Sequence, residues 1–324
     1  MNGLVALVTG AASGLGKATA QFLLNNGCRV AALDQHKFDV PELEIEDVEK
    51  PEEHQKFLDE IRTKYNDFDR AFDSSFDNLA QMSAATNSPV ANKLKANQTL
   101  EKCCETAERT FFNNETVNNC IFAVGDICCP KEVSTILENV RLKWGKLDIA
   151  VNCAGISRVV KCYNHLSDRP MELETFRKVM DINLVGTFNV IRLVAREMSR
   201  NEPKGNGERG VIINTSSFVA FEGPESTSCD AAAARAVASM TLPLSRDLAS
   251  LGIRVNTVAP GYIDTPALGD IPDDVATVVS LLNAFPNRLG KSDEFAHLIG
   301  AIVSNPMLNG ATIRYDAGMR SPPL

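Results

Sequence analysis

No run of 18 or more apolar residues occurs in the 324-residue chain, which argues against a membrane-spanning helix. No Cys-x-x-Cys pair occurs either. The nine cysteines include the adjacent pairs Cys103-Cys104 and Cys128-Cys129, and the four histidines are scattered, so no metal site is expected. Reduced, mostly buried thiols are the expectation. Aromatic residues are scarce at 6%, with four tyrosines: Tyr65, Tyr163, Tyr262 and Tyr315. At four residues beyond them stand Asp69, Ser167, Pro266 and Met319, so no tyrosine has a lysine one helical turn later. Little sequence precedes the apolar run Leu4–Val8, and no cleavable presequence is expected.

What is present is the composition of a soluble globular protein, 44% apolar and 23% charged. The charge is uneven. Residues 38–118 hold 18 acidic and 9 basic residues, a net of −9, within a chain whose total is −8. Such a segment repels phosphates, so direct nucleic-acid binding through it is not expected. It is polar, with helix-like stretches at 52–65 and 100–112, and reads as either a solvated insertion or a helical docking lobe.

Around this insertion, strands and helices alternate. Strands are expected at 4–8, 29–34, 120–124, 147–151, 211–214, 253–258 and 311–315. Helices are expected at 15–26, 131–143, 172–200, 230–250 and 293–304. The alternation predicts an α/β fold, a doubly wound parallel sheet of the Rossmann type with one long acidic, partly helical insertion. Residues 1–37 and 119–324 would form one domain interrupted by 38–118.

Thr9-Gly10-Ala11-Ala12-Ser13-Gly14-Leu15-Gly16 lies between the first strand and the first helix. Glycines there permit a tight turn and a close approach to a pyrophosphate at the helix N-terminus. A purely structural turn is the alternative. Asp34 closes the second strand 18 residues after Gly16, where a carboxylate accepts hydrogen bonds from ribose hydroxyls and repels a 2′-phosphate. Ser13 and Gln35 add no basic charge beside it, so the expected cofactor is NAD rather than NADP.

The octapeptide is similar to the TGxxxGxG fingerprint of the short-chain dehydrogenase/reductase superfamily. Asn152-Cys153-Ala154-Gly155 resembles its NNAG element, and Pro260-Gly261 through Thr265 its nicotinamide-binding element. Asp126, with Ile127 beside it, falls where the family binds adenine. Asn183 falls where an Asn orders a relay water, and Ser217 matches the substrate-orienting Ser. Longer runs, among them 186–195, 210–215, 221–223 and 240–243, resemble the branch of type-2 3-hydroxyacyl-CoA dehydrogenases, also called type 10 17β-hydroxysteroid dehydrogenases.

The resemblance implies NAD-dependent interconversion of alcohol and ketone on acyl-CoA, steroid-like or related substrates, by a mitochondrial homotetramer or a homodimer. A cytoplasmic address is the alternative. It also implies a Tyr as general acid/base and a Lys four residues later. Counting from Ser217 or back from Met240 places those two at Asp230 and Ala234. The expectation is a member that binds NAD(H) but is inactive or severely impaired. Two alternatives are an active dehydrogenase with a substitute relay through Asp230 or Tyr262, and a non-catalytic interaction scaffold. Segment 262–288 matches the substrate lid in position, and its apolar residues would either line a cleft or pack on the domain.

Overall fold

Every residue from Val5 to Thr9 is buried, as a strand covered on both faces of a parallel sheet must be. In the computed structural model of the protein, residues 1–35, 119–165, 167–268 and 279–320 are described. The expected helices at 52–65 and 100–112 and residues 269–278 of the lid segment lie outside them. One seven-stranded parallel sheet contains β1 (Val5–Thr9), β2 (Arg29–Asp34), β3 (Cys120–Val124), β4 (Ile149–Asn152), β5 (Gly210–Thr215), β6 (Ile253–Pro260) and β7 (Thr312–Tyr315). Its order is β7-β6-β5-β4-β1-β2-β3. The chain leaves β1 toward β2 and β3, then returns to β4 on the other side. This is a doubly wound, Rossmann-type sheet, and the crevice at the C-terminal ends of β1 and β4 is its topological switch point.

The helices are α1 (Gly14–Asn25), α2 (Pro130–Trp144), α3 (Leu173–Met180), α4 (Thr187–Met198), α5 (Ser228–Asp247) and α6 (Ser292–Ser304). Strand alternation divides the core in two. Ala6 and Val8 face the layer of α1 and α6, where Leu23, Leu24, Phe295 and Ile299 are buried. Val5 and Leu7 face α2 and α4, where Val133, Leu137, Val190 and Val194 are buried, with Met240 and Leu244 of α5 packed alongside.

The helix expected over 172–200 runs from Leu173 to Met198 and contains one wider turn. A π turn at Asp181–Gly186 separates α3 from α4. The wide turn is built around close contacts: a Cβ on Gly186 would lie 2.8 Å from the Ile127 side chain. Such turns commonly re-aim a side chain at a functional position. Here the residue inside it is Asn183.

At the C-terminal edge the buried strands turn polar. Thr9, Asn152, Asn214 and Thr257 pair in register across β1, β4, β5 and β6. Asn152 Nδ2 donates to Asn214 Oδ1 at 2.9 Å, and the Thr257 hydroxyl shares a hydrogen bond of 2.5 Å with Thr241 on α5. The row ties the central strands together directly below the crevice. Among the described residues no helix is long and apolar enough to cross a membrane.

Farther from the crevice, Arg254 is almost fully enclosed. It pairs with Glu208 at 2.8 Å and donates to the carbonyls of Ile302, Val303 and Leu308 around the end of α6. Arg254→Ala would leave the Glu208 carboxylate with Lys204 alone and remove the side-chain donor from the Ile302 and Val303 carbonyls, while Leu308 keeps Asn256. A loss of about 1–3 kcal/mol is expected in urea unfolding, and a loss below about 0.5 kcal/mol would show that the Arg254 contacts contribute little.

Candidate functional site

The turn after β1 is shaped by contacts that only glycine tolerates. Gly10 has φ of 66°, and a Cβ there would lie 2.8 Å from the backbone nitrogen of Ala154. A Cβ on Gly16 would lie 2.2 Å from the Gly10 carbonyl oxygen, so the first turn of α1 presses directly on the loop. Gly14 has φ of 49° and sits against Thr265, whose Cβ would be 3.4 Å from an added methyl. No acidic residue lies in the first turn of α1, whereas α2 has Glu132 there and α6 has Asp293 and Glu294. The partial positive charge of the α1 terminus is therefore left for an external anion. Ser13, the N-cap residue, makes no side-chain cap bond.

The remaining residues of the expected cofactor site converge on the same edge. Thr9 Oγ1 accepts the N–H groups of Cys153 and Ala154, both at 3.2 Å, which anchors the Asn152–Gly155 loop beside the turn. Asp34 Oδ2 accepts the Ala12 N–H at 3.1 Å. The Asp34 carbonyl accepts the Gly125 N–H at 2.9 Å, which brings Asp126 beside it. Asp126 is exposed, its N–H bonded to Glu132 and its Oδ1 accepting Cys128 N–H. Ile127 is buried, its carbonyl held by Asn189 Nδ2 at 2.7 Å. Pro260 accepts the N–H of Phe218, next to Ser217, and Gly261 N–H donates to Tyr315.

The catalytic positions divide differently. Asn183 holds both backbone groups of Ile156, accepting its N–H at 2.8 Å and donating to its carbonyl at 2.7 Å. Ser217 is half-buried, and its Oγ accepts the Val219 N–H at 3.3 Å. Asp230 is 9% exposed, and its carboxylate turns to the loop after β4. One oxygen accepts the Ser157 hydroxyl, and both face the Arg158 N–H at 3.0 and 3.1 Å. Among the described residues Asp230 and Ser217 share no hydrogen bond. Ala234 offers only a methyl group, and its carbonyl accepts the Ser216 hydroxyl at 2.7 Å.

Nothing at Ser157 or Arg158 marks these residues in the sequence, because their importance depends on the unusual acid facing them. Asn214 did carry a signal, as an isolated amide in the buried run Val211–Ile213. Tyr262 packs its ring on Phe218 at 4.7 Å, and burial raises its phenol above the ordinary tyrosine range. In the segment 262–288, Ile263 is buried and Leu281 is 68% exposed. A cavity of about 370 Å³ is lined by Lys161, Tyr163, Pro224, Glu225, Ser228 and Ala231. Among the described residues no cluster of His, Cys, Asp or Glu is arranged to hold a metal ion.

Comparison with known proteins agrees with this geometry. The short chain dehydrogenase family model matches residues 4–88, and the model described as Enoyl-(Acyl carrier protein) reductase matches 96–320. The chain belongs to the short-chain dehydrogenase/reductase family. It is 49% identical over 206 residues to 3-hydroxyacyl-CoA dehydrogenase type-2 of Homo sapiens, covering 64% of this chain and 79% of the relative. The Drosophila melanogaster protein of that name is 46% identical over 203 residues, covering 63% of this chain and 80% of that protein. The crystal structure of 3-hydroxyacyl-CoA dehydrogenase type-2 from Mycobacterium avium superposes with a TM-score of 0.72 at 26% identity, over 99% of this chain and 98% of that one. This short-chain dehydrogenase/reductase is thus an oxidoreductase homologue most of whose described fold has counterparts in that enzyme.

Burial is the largest influence on Asp230, and it raises the carboxyl above the ordinary aspartate range despite the opposing hydrogen bonds from Ser157 and Arg158. A raised folded-state value means that the acid's contribution to stability is fully present below the unfolded value. It is lost as pH rises through the folded value. Asp230→Asn, which carries no charge, is therefore expected to melt higher than the parent at neutral pH, with the gap closing below the ordinary aspartate range. Parallel curves across pH in thermal melts would contradict the burial argument.

Proposed function

We propose that this chain is an NAD(H)-binding short-chain dehydrogenase/reductase whose oxidoreductase activity is silent or severely impaired at the proton relay. Gly10 and Ser13 to Gly16, Leu15 included, would hold the pyrophosphate, Asp34 the adenosine ribose, and Asp126 and Ile127 the adenine. Asn152, Ala154, Gly155, Pro260, Gly261 and Thr265 would flank the nicotinamide half. Bound NADH supplies a hydride. Ser217 and Asn183 remain to orient a carbonyl and to hold the adjoining loop.

The observation that carries the proposal is the state of Asp230. Its carboxylate is engaged by Ser157 and Arg158, and Ala234 brings no cation one turn along the helix. A carboxyl group is a poor proton donor to an alkoxide near neutral pH, and this one is turned to a different loop. Tyr262 has a raised rather than lowered acidity threshold, the opposite of what a substitute acid needs. Losing the general acid costs about 10²–10⁴ in rate, and the missing cation removes positioning of the ribose as well.

The names of the relatives suggest 3-hydroxyacyl-CoA or a similar secondary alcohol as the substrate class. Self-association into a homodimer or homotetramer belongs to the same reading. It is supported by Val185 in the π turn, Phe188 at the start of α4 and Leu242 on α5, which are 53%, 45% and 45% exposed.

NADH oxidation at 340 nm with acetoacetyl-CoA tests the reading, with NADH binding measured alongside. The unaltered chain is expected to bind NADH and to turn over at least about 10²-fold more slowly than the Asp230→Tyr/Ala234→Lys double variant. Equal turnover by the two proteins would refute the loss of the relay.

A further inference from the structure

Asp230 does more than fail to act as an acid. The segment Ile156–Lys161 leaves the crevice and runs along the start of α5, where contacts secure it at nearly every residue. Asn183 holds both backbone groups of Ile156. Asp230 takes the Ser157 hydroxyl and the Arg158 N–H, and the Cys229 thiol donates to the Arg158 carbonyl at 3.4 Å. Val160 N–H donates to Ser226 at 2.7 Å, and Lys161 pairs with Glu225 at 3.2 Å. Asp230 is the central contact in this row, and its side chain is nine-tenths out of solvent.

A carboxylate suits this task. It has two acceptor oxygens and no hydrogen of its own when ionised, so one group receives a hydroxyl and a backbone N–H together. A phenol has a single oxygen on a longer stem and does not bridge the two in the same way. The secured segment is also the direct continuation of Asn152–Gly155, which Thr9 fixes from the other end. The loop bordering the nicotinamide half of the crevice is thereby held on both sides before any ligand arrives.

We propose that Asp230 is a positioning residue for the cofactor: by fixing Ser157 and Arg158 it preforms the loop from Gly155 to Arg158 against which the nicotinamide half of NADH binds. The old relay position has changed tasks, from moving a proton to retaining the dinucleotide. A loop already ordered costs less to order on binding. The inference rests on the NAD(H)-binding reading above. It predicts an effect confined to one half of the ligand, because the adenosine diphosphate half is held by the Gly10–Gly16 turn and Asp34, away from this segment.

The experiment compares NADH with ADP-ribose, which keeps the adenosine diphosphate and lacks the nicotinamide, by calorimetric titration of the full chain and its variants. Asp230→Ala is expected to weaken NADH about tenfold and to leave ADP-ribose within about twofold. Asp230→Asn is expected to restore NADH affinity, since its Oδ1 accepts the Arg158 N–H and its Nδ2 donates to Ser157 Oγ. Ser157→Ala, a change on an exposed loop residue that leaves α5 intact, should weaken NADH in the same direction. It carries the test if Asp230→Ala does not fold. Equal losses for both ligands would reduce Asp230 to a merely structural residue, and unchanged NADH affinity would remove the role altogether. Failure of the unaltered chain to bind either ligand would overturn the NAD(H) reading and this inference with it. Normal NADH binding by both the chain and its Asp230→Ala variant would overturn only the inference.

Discussion

Close backbone contact at the C-terminal edge of the sheet is the constraint on which the rest of the site depends. Gly10 lies against Cys153 and Ala154, and Gly16 lies against Gly10, so the turn after β1, the start of α1 and the loop after β4 share one small volume. Thr9 sets the spacing by accepting two N–H groups of the β4 loop. A side chain at either glycine would separate these segments by more than van der Waals contacts tolerate. The result is a rigid floor with a helix N-terminus at one end and no acidic side chain of that helix to compensate it.

The crevice above this floor separates two tasks that active enzymes of this kind combine. The groups proposed to bind a dinucleotide are spread over the ends of β1, β2, β3, β4 and β6. The two positions proposed for the proton relay, Asp230 and Ala234, lie on α5, a helix whose fold does not depend on them. Alanines favour a helix and Asp230 suits its first turn, so α5 forms without Tyr or Lys. The helix is therefore intact with Asp230 and Ala234 in those places. A buried carboxylate needs donors. The loop after β4 supplies them.

Most of the fold was legible because buried parallel strands are written as short β-prone runs between amphipathic helices. Arg29–Asp34 and Cys120–Val124 were placed to the residue, and the other five strands within two residues at either end. The π turn at Asp181–Gly186 was not legible. A helix with one wider turn keeps nearly the same apolar spacing, and the contact that shapes it comes from Ile127, distant in sequence. The candidate cofactor residues were legible for a similar reason: glycine and carboxylate occur at fixed distances from strand ends. Ser157 and Arg158 were invisible, since their role exists only across the gap to α5.

By itself, then, the sequence determined the alternation of elements, the glycine turn with its partner Asp34, and the absence of a tyrosine–lysine pair. These are properties of residue type and spacing along the chain. Only the tertiary structure decided where the Asp230 carboxylate points, what satisfies it, and that the polar row from Thr9 to Thr257 joins four strands below the crevice. Side-chain direction at a buried position is set by which donors lie within about 3 Å, and those donors belong to segments dozens of residues away.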